Sequence, residues 1–137
     1  MKAKEYLQQL QKLDIVINQK LQELYELKKL QDIKAIDYTK EKVQSSRQNG
    51  ANFENVLIKI IDMENEINDE IDRFIDKKHR MINQIQNLDN TKYMQVLYKR
   101  YVEYKRLEMV ACEMAYTFQY VVLLHGQALK DFEQNFL

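Results

Sequence analysis

The chain has 137 residues with no proline, two glycines and one cysteine, a composition that favours helix throughout. Its 21 basic and 21 acidic residues cancel, which excludes the fold-wide positive field of a strongly basic nucleic-acid binder and confines any such affinity to a local patch. The single cysteine excludes an internal disulfide and a cysteine-based zinc site, and no apolar run approaches the roughly 20 residues of a bilayer span.

Met1-Lys2-Ala3-Lys4 runs into mixed polar sequence without the pattern of a signal peptide, so a cytoplasmic location is expected. Residues 4–36 are predicted as the first helix. Leu10, Leu13, Ile17, Leu24 and Leu27 recur at coiled-coil spacing, and Leu7, Leu21 and Leu30 widen the stripe. Residues 37–52 break the pattern, and Ser45-Ser46-Arg47-Gln48-Asn49-Gly50 marks the turn of a long antiparallel helical hairpin.

Residues 53–87 form the second helix. Phe53, Ile60, Ile67, Phe74, Met81 and Leu88 stand seven apart, with Val56, Leu57, Met63, Ile71 and Ile85 between them. Ile61, Ile75 and Ile82 add a second apolar edge, so the stripe needs more than one partner helix and a homodimer is expected. Glu54, Asp62, Glu66, Asp69, Asp72 and Asp76 read as a solvated face, since no carboxylate pairs with histidine at metal-ligand spacing across two helices. His79 belongs to the basic cluster Lys77-Lys78-His79-Arg80.

Asp89 or Asn90 caps a third helix over residues 91–104. Residues 1–88 are thus expected as a coiled-coil-like oligomerisation region and 89–137 as a terminal domain. Lys99, Arg100, Lys105 and Arg106 make the densest basic patch of that half, interleaved with Tyr98, Tyr101 and Tyr104. Such a patch either positions phosphates or is a solvated face with aromatic core anchors.

A short helix follows through Met114, burying Leu107, Val110, Ala111 and Met114. Ala115-Tyr116 forms a turn, Thr117 caps the last helix, and Val121, Leu124, Ala128 and Phe132 face inward. Cys112 is expected half-buried, and His125 as a satisfied core histidine or a polar contact. The pattern is that of a helix-turn-helix.

At these residues the chain resembles region four of sigma-70-class factors. The likeness rests on Arg100-Tyr101 ending one helix, Leu107-Glu108-Met109-Val110-Ala111, the turn Met114-Ala115-Tyr116-Thr117, and Val121 with Ala128-Leu129. Over nearly its full length the chain is similar to the small ArpU-type phage and prophage transcriptional regulators, through Lys4-Glu5-Tyr6-Leu7 and the acidic run Ile60 to Arg73.

The resemblance implies a DNA-binding regulator of phage or prophage genes in a bacterial host cell. It places Thr117 and Gln119 on DNA and Lys99, Arg100, Lys105 and Arg106 on phosphates. The family pattern has glycine where Ala115 stands and favours arginine at Gln127. The other outward positions are Phe118, Gln119, Val122, Leu123 and Gly126, of which only Gln119, with Gln127, can read a base by a bidentate amide.

The apolar face of Phe118, Val122 and Leu123 also fits a different role, a helical module that docks on RNA polymerase or another regulator without reading bases. No phosphate-cradling glycine loop, nucleophile with a nearby base, or metal-ligand set is present, and Cys112 and His125 fall on different helices. A non-enzymatic protein without cofactor or metal is therefore expected.

Overall fold

The computed structural model describes residues 2–44 and 47–137, and the side chains of these residues apart from 38–44 and 47–51. Among the described residues the chain is all-α. Its elements are α1 (Ala3–Gln44), α2 (Arg47–Gln86), α3 (Thr91–Leu97), a π-helical segment (Tyr98–Val102), α4 (Leu107–Met114) and α5 (Phe118–Phe136).

Most of the connector expected over residues 37–52 is helical. Helix α1 continues to Gln44 and α2 already runs from Arg47, while Ser45 and Ser46 lie outside the described residues. Asp37 to Gln44 contains no helix breaker, and one internal glycine costs a helix only about 1 kcal/mol relative to alanine. A helix of 40 residues, locked by the apolar face further along it, tolerates Gly50.

By packing, the chain falls into two compact units. One compact unit is Met1–Ile15 with Ile75–Leu137, and the other is Val16–Phe74. The start of α1, Ala3 to Ile15, belongs with the terminal helices because it is tied to them. The Tyr6 ring lies 5.8 Å from that of Phe132, the Tyr6 hydroxyl donates to Gln84 Oε1 at 2.7 Å, and the Ala3 amide meets Glu133 Oε2 at 3.5 Å.

In the Val16–Phe74 unit, Leu24 packs with Ile67 and Ile71 against half-buried Leu27, and Lys20 pairs with Glu70 at 2.9 Å. The seam read from the heptads is this buried one. The extra edges are covered only in part: Leu7 is buried and Ile82 half-buried, but Leu21, Leu30, Ile61 and Ile75 are exposed, as are Tyr25, Ile33, Ile36 and Ile58.

In the other unit, Leu7, Leu10, Met81, Ile85, Leu97 and Phe132 are fully enclosed. Asn90 starts α3 by accepting the amides of Lys92 and Tyr93 at 3.0 and 3.3 Å, which satisfies two donors that the first turn leaves unpaired. The third helix does not hold α geometry to residue 104. At Tyr98 it widens, and the Glu103 amide reaches back five residues to the Tyr98 carbonyl at 3.1 Å. Tyr104 then turns left-handed at φ 60°, and the Lys105 amide closes on the Lys99 carbonyl at 3.0 Å.

Helix α4 ends in a Schellman motif. Ala115 is left-handed (φ 58°), the Tyr116 amide donates to the Ala111 carbonyl at 3.0 Å, and the Ala115 amide to Cys112 at 3.3 Å. Alanine there carries a Cβ penalty that glycine lacks. Ala115→Gly is expected to raise stability by about 0.5–1 kcal/mol, since the relieved strain exceeds the entropy glycine adds to the unfolded chain. A urea midpoint that stays put or falls, at unchanged slope, would show that the turn is not strained.

Candidate functional site

The corner of α4 and α5 is a tight, capped turn. A break of three residues, Ala115 to Thr117, joins two helices that bend by 106°. Two caps fix it, the left-handed Ala115 on one side and Thr117 on the other, whose Oγ1 accepts the Tyr120 amide at 3.2 Å. Beneath the corner, Val96, Val110, Ala111, Val121 and Leu124 form one buried cluster with Tyr93, Leu107, Met114 and Tyr116 around it. The inward positions read from the sequence, Val121, Leu124, Ala128 and Phe132, are all buried.

The opposite face of α5 is uncovered. Gln119, Val122, Leu123, Gly126, Gln127 and Lys130 are exposed along it, with Phe118 exposed at its margin. Leu123 is 57% accessible. Gln127 leans toward α3, where its Oε1 accepts the Tyr93 hydroxyl at 3.4 Å. Gln119 is thus the amide carried on the open part of the face.

The basic residues do gather, but with carboxylates among them. Lys105 pairs with Glu103 and, at 2.6 Å, with Glu113, and Lys99 lies 3.8 Å from Glu113. Glu103 and Glu113 hold the Lys105 ammonium above its ordinary range, and Lys105 in turn lowers Glu113. Arg100 lies over the Tyr101 ring at 5.6 Å and donates to the Lys105 carbonyl at 3.5 Å. Arg106 is exposed at the start of α4 and enters none of these ion pairs. Much of the local positive charge is therefore already balanced, which single-residue inspection does not reveal.

A cation that sequence reading missed stands nearer to the open helix. Lys92, in the first turn of α3, sits 5.7 Å from the Tyr116 ring and 5.9 Å from the Tyr120 ring. Its ammonium is raised above the ordinary lysine range, chiefly by the Tyr120 hydroxyl. Only the closure of the corner brings Tyr116 and Tyr120 to it, so no local spacing signals the contact.

His125 is a satisfied, partly enclosed histidine. Its Nε2 is 2.8 Å from the Tyr101 hydroxyl and its ring stacks on that tyrosine at 5.6 Å. Burial first, then the charges of Arg100 and Lys4, pushes the imidazole down to about 4. The unfolded ring titrates near 6.5, so between about 6.5 and 4 the unfolded chain binds a proton that the folded chain refuses. Stability from this group should therefore fall as pH drops through that window, by about 1–2 kcal/mol once its partial exposure is discounted. Urea titrations of wild type and His125→Gln across the window test it, and an equal fall in both proteins would assign the effect to other groups.

Cys112 is exposed rather than half-buried, because it lies on the far side of α4 from Val110 and Ala111. His79 pairs with Asn83 at 3.2 Å. Among the described residues no three histidine, cysteine or acidic side chains converge as a metal site, and no single helix is long and apolar enough to cross a membrane. Comparison with protein-family models, curated proteins and solved structures returns no match to this chain.

Proposed function

We propose that this protein is a DNA-binding transcriptional regulator of phage or prophage genes, with α4, the turn and α5 acting as a sigma-70 region-four-like helix-turn-helix and α5 entering the major groove. The observation that carries this is the corner itself. A 106° bend over three residues falls within the range of helix-turn-helix units, and the face of α5 that such a unit presents to bases is the uncovered one. The resemblance read from the sequence implies the same assignment.

In this role the first turn of α5 meets base edges through Gln119, with Gln127 beside α3. The Thr117 hydroxyl keeps its proton to donate to a phosphate while its oxygen caps the helix. Lys92, Arg106 and Arg100 supply backbone charge, and Lys99 and Lys105 join them by exchanging a carboxylate for a phosphate. The α1–α2 hairpin is the oligomerisation arm, which the exposed Tyr25, Ile33, Ile36 and Ile58 favour. Solution mass, measured by light scattering, is expected at twice the chain mass of 16.6 kDa.

Titration of promoter-region duplexes from the host prophage at rising salt tests the proposal, since phosphate contacts make affinity fall with salt. Lys92→Gln is expected to weaken binding to all duplexes alike and to reduce the salt slope by about one. Absence of any salt-dependent complex at low ionic strength would overturn it.

A second role is favoured by one observation. Phe118, Val122 and Leu123 are 43%, 44% and 57% exposed, an apolar surface of the kind that also marks protein interfaces. A docking module for RNA polymerase would use that face. Leu123→Arg is then expected to abolish recovery of polymerase subunits, and unchanged recovery would exclude this surface.

A further inference from the structure

We infer, building on the DNA-binding function proposed above, that the outward face of α5 selects A·T-rich duplex through apolar contact with thymine methyl groups. The argument is one of chemical complementarity. The open ridge runs Gln119, Val122, Leu123, Gly126, and it carries no charged side chain before Lys130. In the major groove, guanine presents two acceptors that are met by arginine or lysine, and cytosine presents a donor met by a carboxylate. Neither kind of group stands on the ridge. Pressing Val122 and Leu123 onto a G·C pair would strip water from those polar edges and return nothing.

An A·T pair offers the reverse. The thymine C5 methyl is an apolar surface, and adenine N6 and N7 match the donor and acceptor of one amide, which Gln119 supplies. Charge flanks the ridge where phosphates flank a groove floor, with Lys92 beside Tyr116 and Tyr120 near its start and Lys130 at its end. Cations at both ends of an uncharged apolar ridge complement a polyanion with an apolar floor.

Gly126 fits the same occupant. A Cβ placed there meets no atom of the protein within 4 Å, so packing does not require glycine in the middle of this helix. Its missing side chain instead lets base edges approach the backbone closely.

The test is selection by the full-length protein from a duplex pool with a randomised core, followed by titration of the recovered duplex with uracil in place of thymine. Uracil lacks only the C5 methyl. The expected result is an A·T-rich core and a loss of about fourfold in affinity for each methyl that the protein buries. Leu123→Ala, an exposed change that leaves the core intact, should narrow the thymine–uracil difference while salt-dependent binding persists. Gly126→Ala should weaken the selected complex without lowering stability.

Equal affinity for the thymine and uracil duplexes, or a G·C-rich or unbiased selection, overturns this inference and leaves the DNA-binding proposal standing. Failure of every duplex to bind in a salt-dependent way overturns both.

Discussion

Phe132→Ala is expected to destabilise the protein by about 3–5 kcal/mol, the range for deleting an enclosed aromatic ring. Phe132 has no accessible surface. Its ring meets Tyr6 of α1 at 5.8 Å and Phe136 at 5.0 Å, and it closes the inner stripe that Val121, Leu124 and Ala128 begin. The cavity would open where the start of α1 is held, beside the contact of the Ala3 amide with Glu133. Stabilities of single domains are about 5–15 kcal/mol, so a loss of this size is a large fraction of the folding free energy and, at the low end of that range, all of it. Urea unfolding followed by circular dichroism measures the loss. Phe132→Leu serves as the graded control, with a cost near 1–2 kcal/mol because it refills most of the volume. A loss under about 1 kcal/mol for alanine would mean that α1 is not anchored by this ring.

That result would also separate two roles within one helix. The second half of α5 is a structural clamp on the amino terminus, while the first half carries the open ridge. Substitutions at Leu123 or Gly126 should therefore change binding with little effect on stability, and those at Val121 or Phe132 should change stability first.

Periodicity made much of this fold legible. Of the six residues spaced by sevens, Ile60, Ile67, Met81 and Leu88 are buried and Phe53 and Phe74 half-buried, while Leu7, Leu10, Leu13 and Leu24 are buried on the first helix. The inner face of α5 and the cap at Thr117 follow from helical spacing and capping chemistry alone. Turn composition was a poorer guide. Asn49-Gly50 resembles a reversal, yet α2 runs through it, because a few unfavourable residues cannot outvote a long helix fixed by packing elsewhere.

The parts of the candidate site hidden from the sequence are those made by closure. Pairing of Lys105 with Glu103 and Glu113 depends on the left-handed exit at Tyr104, and that exit depends on the widened turn at Tyr98. Neither backbone feature has a compositional mark, since tyrosine is an unusual occupant of positive φ. Lys92 was unremarkable for the same reason, as its aromatic partners stand more than twenty residues downstream.

Tyr104 explains why such a residue holds that position, and Tyr104→Phe is expected to cost about 2 kcal/mol. Its left-handed backbone carries a penalty of about 1–2 kcal/mol that glycine would escape. In return the side chain is aimed at α1, where the hydroxyl donates to the Asp14 carboxylate and lies 3.3 Å from the Leu10 carbonyl. Lys78 of α2 holds the other Asp14 oxygen. One phenol thus joins the exit of the π segment to both long helices. Burial, and then Asp14, raises the phenol well above its ordinary range, which favours its protonated, donating form.

Phenylalanine keeps the ring and the strain but removes the bond, leaving Asp14 to Lys78 alone. Tyr104→Gly removes both strain and bond, and if the bond outweighs the strain it too is destabilised. The decisive measurement is a double-mutant cycle of Tyr104→Phe with Asp14→Asn. A coupling of about 1–2 kcal/mol is expected for a charge-assisted bond that is only partly enclosed. Additive losses would mean that the hydroxyl and the carboxylate act independently, which would leave the Leu10 carbonyl as the phenol's partner on α1.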